Sequence, residues 1–180
     1  MALGLEPPPG LSLEPGLRAL RGFRELSVPP LENLHVTLAF MGDLPETALG
    51  RATDAMKAAA AAAGGRWQVA WGDPGAFPSI AGPRVIWLGV ADPVLTTAVH
   101  GTLVSELRAR GLSCDERPFR AHLSLARVRS ELTSERAGLL MAGLAELRPP
   151  APASVESLVL YRSTHGAAAS LYEELARTSL

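Results

Sequence analysis

A four-residue pattern occurs twice in this chain, and it restricts the fold more than any other feature of the sequence. Residues 35–38 read His-Val-Thr-Leu, and residues 122–125, nearly half the chain further on, read His-Leu-Ser-Leu. Each copy therefore places a histidine, an apolar residue, a hydroxyl residue and a leucine in the same order. The repetition predicts two similar lobes, each contributing one histidine and one hydroxyl group to a shared site.

Both copies lie in segments with the pattern of a β-strand. In residues 33–40 the apolar side chains at positions 34, 36, 38 and 40 alternate with the others, and residues 121–128 form a similar segment. Alternate side chains of a strand share a face, so each histidine lies beside its hydroxyl group and opposite the apolar residue between them. The candidate site residues are His35, Thr37, His122 and Ser124.

The rest of the sequence alternates short strands with helices and shows no domain linker. Further strands are predicted at residues 2–5, 67–71, 84–90, 154–161 and 167–175, and helices at 15–22, 45–63, 92–110 and 133–144. Prolines and glycines predict a break at 7–10 and a loop at 72–83. This order favours an α+β fold in a single domain, residues 1–180. We expect two pseudo-symmetric lobes, each a small antiparallel sheet backed by helices, with the active-site cleft between them.

Composition and charge narrow the classes of function. Of the 180 residues, 47% are hydrophobic and 19% are charged, which is typical of a globular chain. The net charge of −1 argues against non-specific coating of nucleic acid, although it is compatible with a local basic cleft. Cys114 is the only cysteine, so an internal disulfide framework is excluded and a cytoplasmic location is expected. We expect neither a signal peptide nor a membrane span.

The repeated pair of side chains suits the chemistry of phosphate esters. Two imidazoles, whose ordinary pKa lies near neutrality, can act as a general acid and a general base on opposite sides of one phosphorus atom. Two hydroxyl groups can donate hydrogen bonds to its non-bridging oxygens and stabilise the charge that develops there. A single histidine on a strand is most often structural, but two matched copies on matched strands favour a functional interpretation.

The residues around both copies extend the match to a known family. Residues 30–42 read PLENLHVTLAFMG, Phe-Pro at 77–78 precedes PRVIWLGV at 83–90, RPFR stands at 117–120, ARV at 126–128 and LVLYRS at 158–163. In these motifs, which occur in the expected order between residues 29 and 175, the chain resembles the two-histidine phosphoesterases. Specifically, it resembles the bacterial and archaeal RNA 2′,3′-cyclic phosphodiesterases, long called 2′-5′ RNA ligases.

The resemblance implies hydrolysis of an RNA 2′,3′-cyclic phosphate to a 2′-phosphate, with reversible 2′-5′ joining of RNA ends as a weaker related activity. His35 would donate a proton to the 3′ oxygen, and His122 would be the base that activates water. No metal or other cofactor is expected. Cys114, Asp115 and His122 come nearest to a metal-ligand cluster in the sequence, and they offer too few soft ligands.

Four further side chains are candidates for substrate contact. Arg127 belongs to the family motif and would bind phosphate, but alternation places it opposite His122, so it needs a bulge or a strand end to reach the site. Arg120 shares the His122 face and is a second phosphate-binding candidate, with an exposed surface arginine as the alternative. Phe77 and Tyr161 are candidates for stacking on a base, and core packing is an equal alternative for Tyr161.

Two positions depart from the family pattern. The predicted first strand, residues 2–5, is short and lacks an aromatic residue, which puts a base-stacking side chain or part of the first lobe's sheet in doubt. Ser124 stands where threonine is commoner in the family. Serine keeps the hydroxyl group but leaves the χ1 torsion less restricted.

Two alternatives to the hydrolysis of RNA ends remain. A phosphodiesterase with the same site could act on small cyclic or 2′-5′ linked nucleotides, and the length of the substrate groove would separate these activities. A non-catalytic module that binds nucleotides belongs to a different class, and the intact histidines and hydroxyls of both copies argue against it. The expected partner is RNA with a cyclic phosphate end, or a small nucleotide, bound by a monomer without membrane association.

Overall fold

The structure is a computed structural model that describes residues 2–5, 13–145, 150–165 and 170–180, with the backbone alone at 2–5, 145, 165 and 170. The predicted break at 7–10 lies outside these residues. The strands are β1 (Ala2–Leu5), β2 (Leu26–Ser27), β3 (Val36–Phe40), β4 (Trp67–Val69), β5 (Trp71–Phe77), β6 (Val85–Val90), β7 (His122–Val128), β8 (Ala153–Val155), β9 (Ser157–His165) and β10 (Ser170–Ser179). The helices are α1 (Glu14–Arg21), α2 (Leu49–Ala63), α3 (Val94–Ala109) and α4 (Ser134–Ala145), and they confirm the predicted helices with small shifts at their ends. Within the described residues, no helix is both long and apolar enough to span a bilayer.

A large antiparallel sheet organises the molecule and confirms the α+β class. Its strands follow the order β10-β9-β1-β3-β7-β6-β5, with β2 paired to β7, while β4 and β8 form a separate two-stranded sheet. Strands β3 and β7 are joined through one residue pair, Val36 with Leu123. The strands on either side of that junction form two lobes, the first of β10-β9-β1-β3 and the second of β7-β6-β5 with β2.

The lobes do not correspond to the two halves of the sequence. The first lobe combines β1 and β3, from the start of the chain, with β9 and β10, from its end, and helices α2 and α3 pack against it. The second lobe contains β2, β5, β6 and β7, with α1 and α4 packed beside them. Each lobe is a small sheet with helices, as predicted, but the two sets of elements interleave along the chain.

Small side chains on α2 let two helices pack closely behind the first lobe. The buried residues Ala52, Ala55, Met56 and Ala59 recur at intervals of three and four, which places them on one helical face. Helix α2 packs against α3, whose Leu103 is fully buried. The alanine-rich segment that predicts the helix therefore also supplies its packing surface.

Two predicted strands each divide between the two sheets. The segment at 67–71 becomes β4 and β5, and the segment at 154–161 becomes β8 and β9, because the chain passes from the β4-β8 pair into the large sheet at both places. Strand β5 continues to Phe77 through much of the predicted loop at 72–83. Pro74 is tolerated there because β5 lies at the edge of the sheet, where a missing backbone donor costs little.

We expect the substitution Gly75→Ala to destabilise the second lobe. Gly75 pairs with Trp87 across β5 and β6, and a Cβ atom at Gly75 would overlap the indole ring. Trp87 is 6% exposed and has little room to move, so the extra methyl group overpacks the region and lowers the free energy of unfolding by about 1–3 kcal/mol. Urea denaturation followed by tryptophan fluorescence measures the effect.

Gly101→Ala is the matched control for this experiment. Gly101 lies in α3, and a Cβ atom there would meet nothing within 4 Å. Since alanine favours the helix by roughly 1 kcal/mol over glycine, this variant should be as stable as the wild type or more stable. Equal free energies of unfolding for Gly75→Ala and the wild type would contradict the proposed close packing.

Candidate active site

The two copies of the repeated pattern meet at the junction between the lobes. Val36 of β3 pairs with Leu123 of β7, and these are the second residues of the first and second copies. Facing residues of an antiparallel pair are related by a local two-fold axis perpendicular to the sheet. The two copies are therefore related by an approximate two-fold axis that passes between Val36 and Leu123.

This register determines how the four predicted site residues are arranged. One residue beyond the Val36–Leu123 pair in one direction, Thr37 lies opposite His122. One residue beyond it in the other direction, His35 lies opposite Ser124. All four side chains belong to the face away from the buried Val36 and Leu123. The histidines therefore occupy one diagonal of a four-residue group, and the hydroxyl groups occupy the other.

An open cleft lies on this face and contains several of the predicted site residues. His35, Thr37, Ser124 and Arg127 line it. His122 lies outside this lining, on the side of the group nearer to β6, where Gly89 pairs with it. The structure thus brings three of the four motif side chains and one predicted phosphate-binding arginine into one cleft.

Both imidazoles are held by the same backbone hydrogen bond. Nδ1 of His35 lies 3.0 Å from the carbonyl oxygen of Asn33, and Nδ1 of His122 lies 2.6 Å from that of Arg120, in each case two residues earlier in the chain. A carbonyl oxygen can only accept, so Nδ1 carries the proton in both rings. Nε2 is consequently the atom of each histidine through which a proton can be given or taken.

Two tyrosines enclose the His35 ring. The centroid of Tyr161 lies 5.1 Å from it in a tilted arrangement, and that of Tyr172 lies 4.7 Å away, edge to face. His35 is 9% exposed and Tyr161 is 7% exposed, so the structure places Tyr161 in the core against the histidine. Tyr172 is the tyrosine that lines the cleft.

A different aromatic cluster surrounds His122. Phe77 meets the imidazole edge to face at 5.0 Å between centroids, and Trp87 lies 6.2 Å away. The Arg120 guanidinium lies 4.5 Å from the Trp87 ring centroid and 5.9 Å from that of Phe77. Phe77 and Arg120, predicted as a stacking residue and a phosphate ligand, therefore form one group with His122.

This environment lowers the pKa of His122 below its ordinary value. Burial of the imidazole is the main cause, and the positive charges of Arg120 and Arg127 add to it. The hydrogen bond to the Arg120 carbonyl favours the charged ring and partly opposes these effects. At neutral pH the ring is therefore neutral, with a free lone pair on Nε2, which is the form that a general base requires.

Both copies of the pattern contain a β-bulge at the same position. In the β1–β3 pair, Thr37 and Ala39 have partners and Leu38 does not, and in the β6–β7 pair Leu125 is skipped in the same way. Each bulged leucine and the alanine that follows it are buried. Two consecutive residues of each strand are therefore buried, with Ala126 also at the wall of the cleft, and the alternation of faces restarts one residue later.

The bulges bring two further side chains to the cleft face. Arg127 follows the second bulge, which reverses the alternation of faces, and Arg127 lines the cleft. Its predicted contact with phosphate required such a bulge. Phe40 follows the first bulge, so it does not share the face of Val36 and Leu38 as simple alternation predicts, and 49% of the residue is exposed. Simple alternation fails at both positions because each strand carries one extra residue.

His100 supports the first bulge from α3. Its Nδ1 lies 2.7 Å from the carbonyl oxygen of Leu38, and its ring stacks on Phe119 with the centroids 4.0 Å apart. The bulged residue has no strand partner, so this side chain satisfies a backbone group that the ladder leaves out. His100 is therefore a structural histidine.

Sequence reasoning did not assign five residues that line the cleft, the apolar Pro29 and Ala126 and three with polar side chains. Tyr172 comes from β10, which two strands separate from β3 in the sheet, and Ser27 belongs to the two-residue strand β2. Asn33 precedes β3 and also holds His35 through its carbonyl. Only the position of Asn33, two residues before a motif histidine, offered a signal in the sequence. In the described part of the chain, no three His, Cys, Asp or Glu side chains come close enough to hold a metal ion.

Comparison with known sequences matches most of the chain to one family. The model of the 2′-5′ RNA ligase superfamily matches residues 7–167. An RNA 2′,3′-cyclic phosphodiesterase of Archaeoglobus fulgidus is 30% identical over 117 residues, which are 65% of this chain and 64% of that protein. One of Geobacillus stearothermophilus is 33% identical over 96 residues, or 53% of this chain and 30% of that protein. The matched segments thus span less than two thirds of either relative.

Solved structures share the fold over almost the whole chain. The protein TT0787 of Thermus thermophilus superposes with a TM-score of 0.77 at 22% identity, covering 99% of this chain and 96% of that one. E. coli LigT in its apo form superposes with a TM-score of 0.70 at 21% identity, covering 99% and 95%. At these identities the likeness establishes the common architecture.

We expect the His122 imidazole to titrate below the ordinary histidine range, and Arg120→Met to raise its pKa. Methionine keeps apolar volume over Trp87 but removes a positive charge that disfavours the protonated ring. The Arg120 carbonyl, which holds Nδ1, is unchanged. NMR titration of the imidazole signals measures both values.

Arg117→Met is the matched control for this titration. Arg117 is a nearby arginine whose guanidinium binds the Asp115 carboxylate, and it is not among the charges that lower the His122 pKa. It should leave the His122 titration unchanged. A pKa for His122 that stays constant or falls in Arg120→Met would show that this charge does not act on the imidazole.

Proposed function

Because the chain belongs to the 2′-5′ RNA ligase superfamily, we propose that it hydrolyses RNA 2′,3′-cyclic phosphate termini to 2′-phosphomonoesters without a metal ion. The same site would join RNA ends reversibly through 2′-5′ bonds. One observation carries the proposal: the Val36–Leu123 register relates two imidazoles and two hydroxyl groups by one approximate two-fold axis. Relatives named RNA 2′,3′-cyclic phosphodiesterase support the choice of substrate.

The two-fold symmetry of the two histidines and two hydroxyl groups fits a phosphodiester undergoing in-line displacement. Such a phosphorus has two non-bridging oxygens, and two further oxygens that enter and leave on opposite sides. Diagonal neighbours in an antiparallel pair lie about 7–8 Å apart, a span that accommodates a phosphate between two imidazoles. The histidine diagonal would carry the entering and leaving oxygens, and the hydroxyl diagonal would hold the non-bridging ones.

The hydrolytic step transfers one proton at each histidine of this diagonal. His122 Nε2 would accept a proton from water as the water oxygen forms a bond to phosphorus. The bond from phosphorus to O3′ breaks, and His35 Nε2 gives its proton to that oxygen, which leaves the phosphate on O2′. The low pKa of His122 supports its role as the base, because the free lone pair is present at neutral pH.

The remaining site residues would bind the substrate around this centre. Thr37 and Ser124 would donate hydrogen bonds to the non-bridging oxygens, and Arg127, in the same cleft, would balance the phosphate charge. Arg120, held over Trp87, is the second phosphate ligand. Phe77 stays a candidate for contact with a base, and Tyr172, which lines the cleft and is half-buried, is a second candidate in place of the buried Tyr161.

A cytoplasmic location and a monomeric state complete the proposal. Cys114, the only cysteine of the sequence, is consistent with a reducing compartment. The two lobes supply both histidines within one chain, so the site would need no second copy. Cell fractionation and analytical ultracentrifugation test the two statements separately.

We expect His35→Ala and His122→Ala each to lower the rate of cyclic phosphate hydrolysis by about 10²–10⁴-fold, because each removes one proton transfer. The substrate is a short RNA ending in a 2′,3′-cyclic phosphate, incubated with EDTA. Products with 2′- and 3′-phosphate are resolved by chromatography. The wild type should form the 2′-phosphate alone.

His100→Gln is the matched histidine control, since glutamine can still donate a hydrogen bond to the Leu38 carbonyl and the residue lies behind the sheet. Its activity should stay within a few-fold of the wild type. Turnover that survives either motif alanine would contradict the acid–base assignment. Binding of the RNA by the wild type without turnover would favour the nucleotide-binding module, and turnover of mononucleotides alone would favour the small-nucleotide alternative.

We expect Thr37→Val to lower kcat by about 10²-fold with a smaller change in KM. Valine keeps the shape of the side chain but removes the donor to an oxygen on which charge develops in the transition state. Ser124→Ala should behave similarly, because the two-fold axis gives the two hydroxyls equivalent positions.

The two copies of the pattern provide their own controls for this series. Thr37→Ser and Ser124→Thr exchange the hydroxyl residue of one copy for that of the other, and both should retain most of the activity. Steady-state kinetics on the cyclic phosphate substrate gives kcat and KM for all four variants. A loss in the exchange variants as large as in Thr37→Val would show that shape, and not the hydroxyl group, matters at these positions.

A further inference from the structure

An RNA end bound in the cleft has further nucleotides on its 5′ side, and these must leave the cleft at one of its borders. In the proposed hydrolysis O3′ takes a proton from His35, so the terminal ribose lies on the His35 side of the reacting centre. On that side the cleft is bordered by Tyr172 of β10 and by Ser27 and Arg127, which pair across β2 and β7. The charge at these two borders decides the path of a polyanion.

At the β10 border the arginines are bound by carboxylates. Arg162 donates to Glu46 at 2.7 Å and to Glu173 at 3.2 Å, and Nε of Arg177 lies 3.0 Å from a carboxylate oxygen of Glu174. A phosphate would have to displace a carboxylate to bind either guanidinium. Because the carboxylates outnumber the arginines here, this border does not attract a polyanion.

Arginines gather at the other border, where the ends of β2, β6 and β7 meet. Arg127 of β7 lines the cleft. The amide of Arg129 donates a hydrogen bond of 2.8 Å to the carbonyl oxygen of Glu25, and the carbonyl oxygen of Arg84 accepts one of 2.9 Å from a backbone amide of β7. Arg24 precedes Glu25, and 93% of its side chain is exposed. We call Arg24, Arg84, Arg127 and Arg129 the basic edge.

A buried carboxylate beside the basic edge is neutralised by another arginine. Glu25 is 6% exposed, and Arg136 of α4 donates to its two oxygens from Nε at 3.0 Å and from Nη2 at 2.8 Å. These hydrogen bonds hold the pKa of Glu25 below its ordinary value, so the two opposite charges of the pair cancel at neutral pH. The exposed carboxylates of Glu131, in the loop after β7, and Glu135, on α4, are fewer than the arginines of the edge. The basic edge therefore keeps a net positive charge.

The spacing along the basic edge suits successive phosphates of one strand. Ser27 pairs with Arg127, and the hydrogen bond between Arg129 and Glu25 continues that ladder by two residues. Arg127 and Arg129 therefore share a face of the strand and lie about 7 Å apart along it. One nucleotide of an extended RNA chain covers a similar length. Arginine suits such contacts because its planar guanidinium binds phosphate oxygens through two hydrogen bonds.

We propose that the basic edge binds the phosphates on the 5′ side of the terminal nucleoside, so that an RNA chain leaves the cleft past Arg127 and crosses the ends of β2, β7 and β6. The inference rests on the proposed function and narrows its substrate to an RNA chain, as opposed to a small nucleotide. Contacts with phosphates carry no sequence information, so the edge selects for the length of the chain and not for its sequence.

The test compares two substrates with the same reacting end, adenosine 2′,3′-cyclic phosphate and an adenosine hexanucleotide that ends in a 2′,3′-cyclic phosphate. For the wild type, kcat/KM should be about tenfold or more higher for the hexanucleotide. This advantage should fall as salt is added, because each phosphate contact contributes about 0.7 to the slope of log affinity against log salt. Arg24→Met, Arg84→Met and Arg129→Met should each lower the ratio of the two kcat/KM values several-fold and reduce its dependence on salt.

Lys57→Met is the matched control for these variants. It removes one exposed positive charge from α2, behind the first lobe and away from the cleft. Both rates and their dependence on salt should stay unchanged. Circular dichroism monitors folding, and Arg24→Met decides the result if another variant unfolds, because the Arg24 side chain is almost fully exposed.

The outcomes separate this inference from the proposed function on which it rests. A wild type inactive on both substrates would overturn the proposed function. Hydrolysis of both substrates at the same kcat/KM, or an unchanged ratio in all three arginine variants, would overturn the role of the basic edge alone. An advantage of the hexanucleotide that does not depend on salt would do the same, because it would arise from contacts with bases and not with phosphates.

Discussion

A single backbone pairing, Val36 with Leu123, holds the two lobes in the relation on which the site depends. A shift of this register by one residue would turn one motif histidine from the cleft into the core, because side chains alternate between the faces of a strand. Burial of both paired side chains, at 2% and 0% exposure, opposes such a shift. The geometry of the four polar groups thus follows from apolar packing on the other side of the sheet.

The backbone around the Val36–Leu123 pair has an approximate two-fold symmetry, and the two bulges follow it. The side chains at equivalent positions differ and do not follow it. Leu38 and Leu125 are skipped at equivalent positions, and the residues that next reach the cleft face are Phe40 and Arg127. The environments of the two histidines also differ, with tyrosines around His35 and a Phe–Trp–Arg group around the other. A symmetric backbone thereby holds two chemically distinct imidazoles, which an acid and a base require.

Local charge, and not net charge, sets the electrostatics of the cleft. The chain as a whole has a net charge of −1, and several arginines are bound by carboxylates, as Arg136 is by Glu25 and Arg162 by Glu46. Arg120 instead lies over Trp87, and Arg127 lines the cleft. Both lower the His122 pKa. Because Coulomb interactions are screened within about 10 Å in salt solution, the placement of these two arginines matters more than the total.

The features that could be predicted from the sequence are those that depend on residues close together in the chain. Alternation over a few residues located both motif strands, the composition of residues 45–63 located α2, and two matched copies identified His35 and His122 as candidates for one site. Three features could be learned only from the folded protein: which strands make each lobe, where Leu38 and Leu125 leave the ladder, and that Tyr172 packs on His35. These features arise from pairing between segments far apart in the chain, and a periodic pattern within one segment carries no information about the register of its partner.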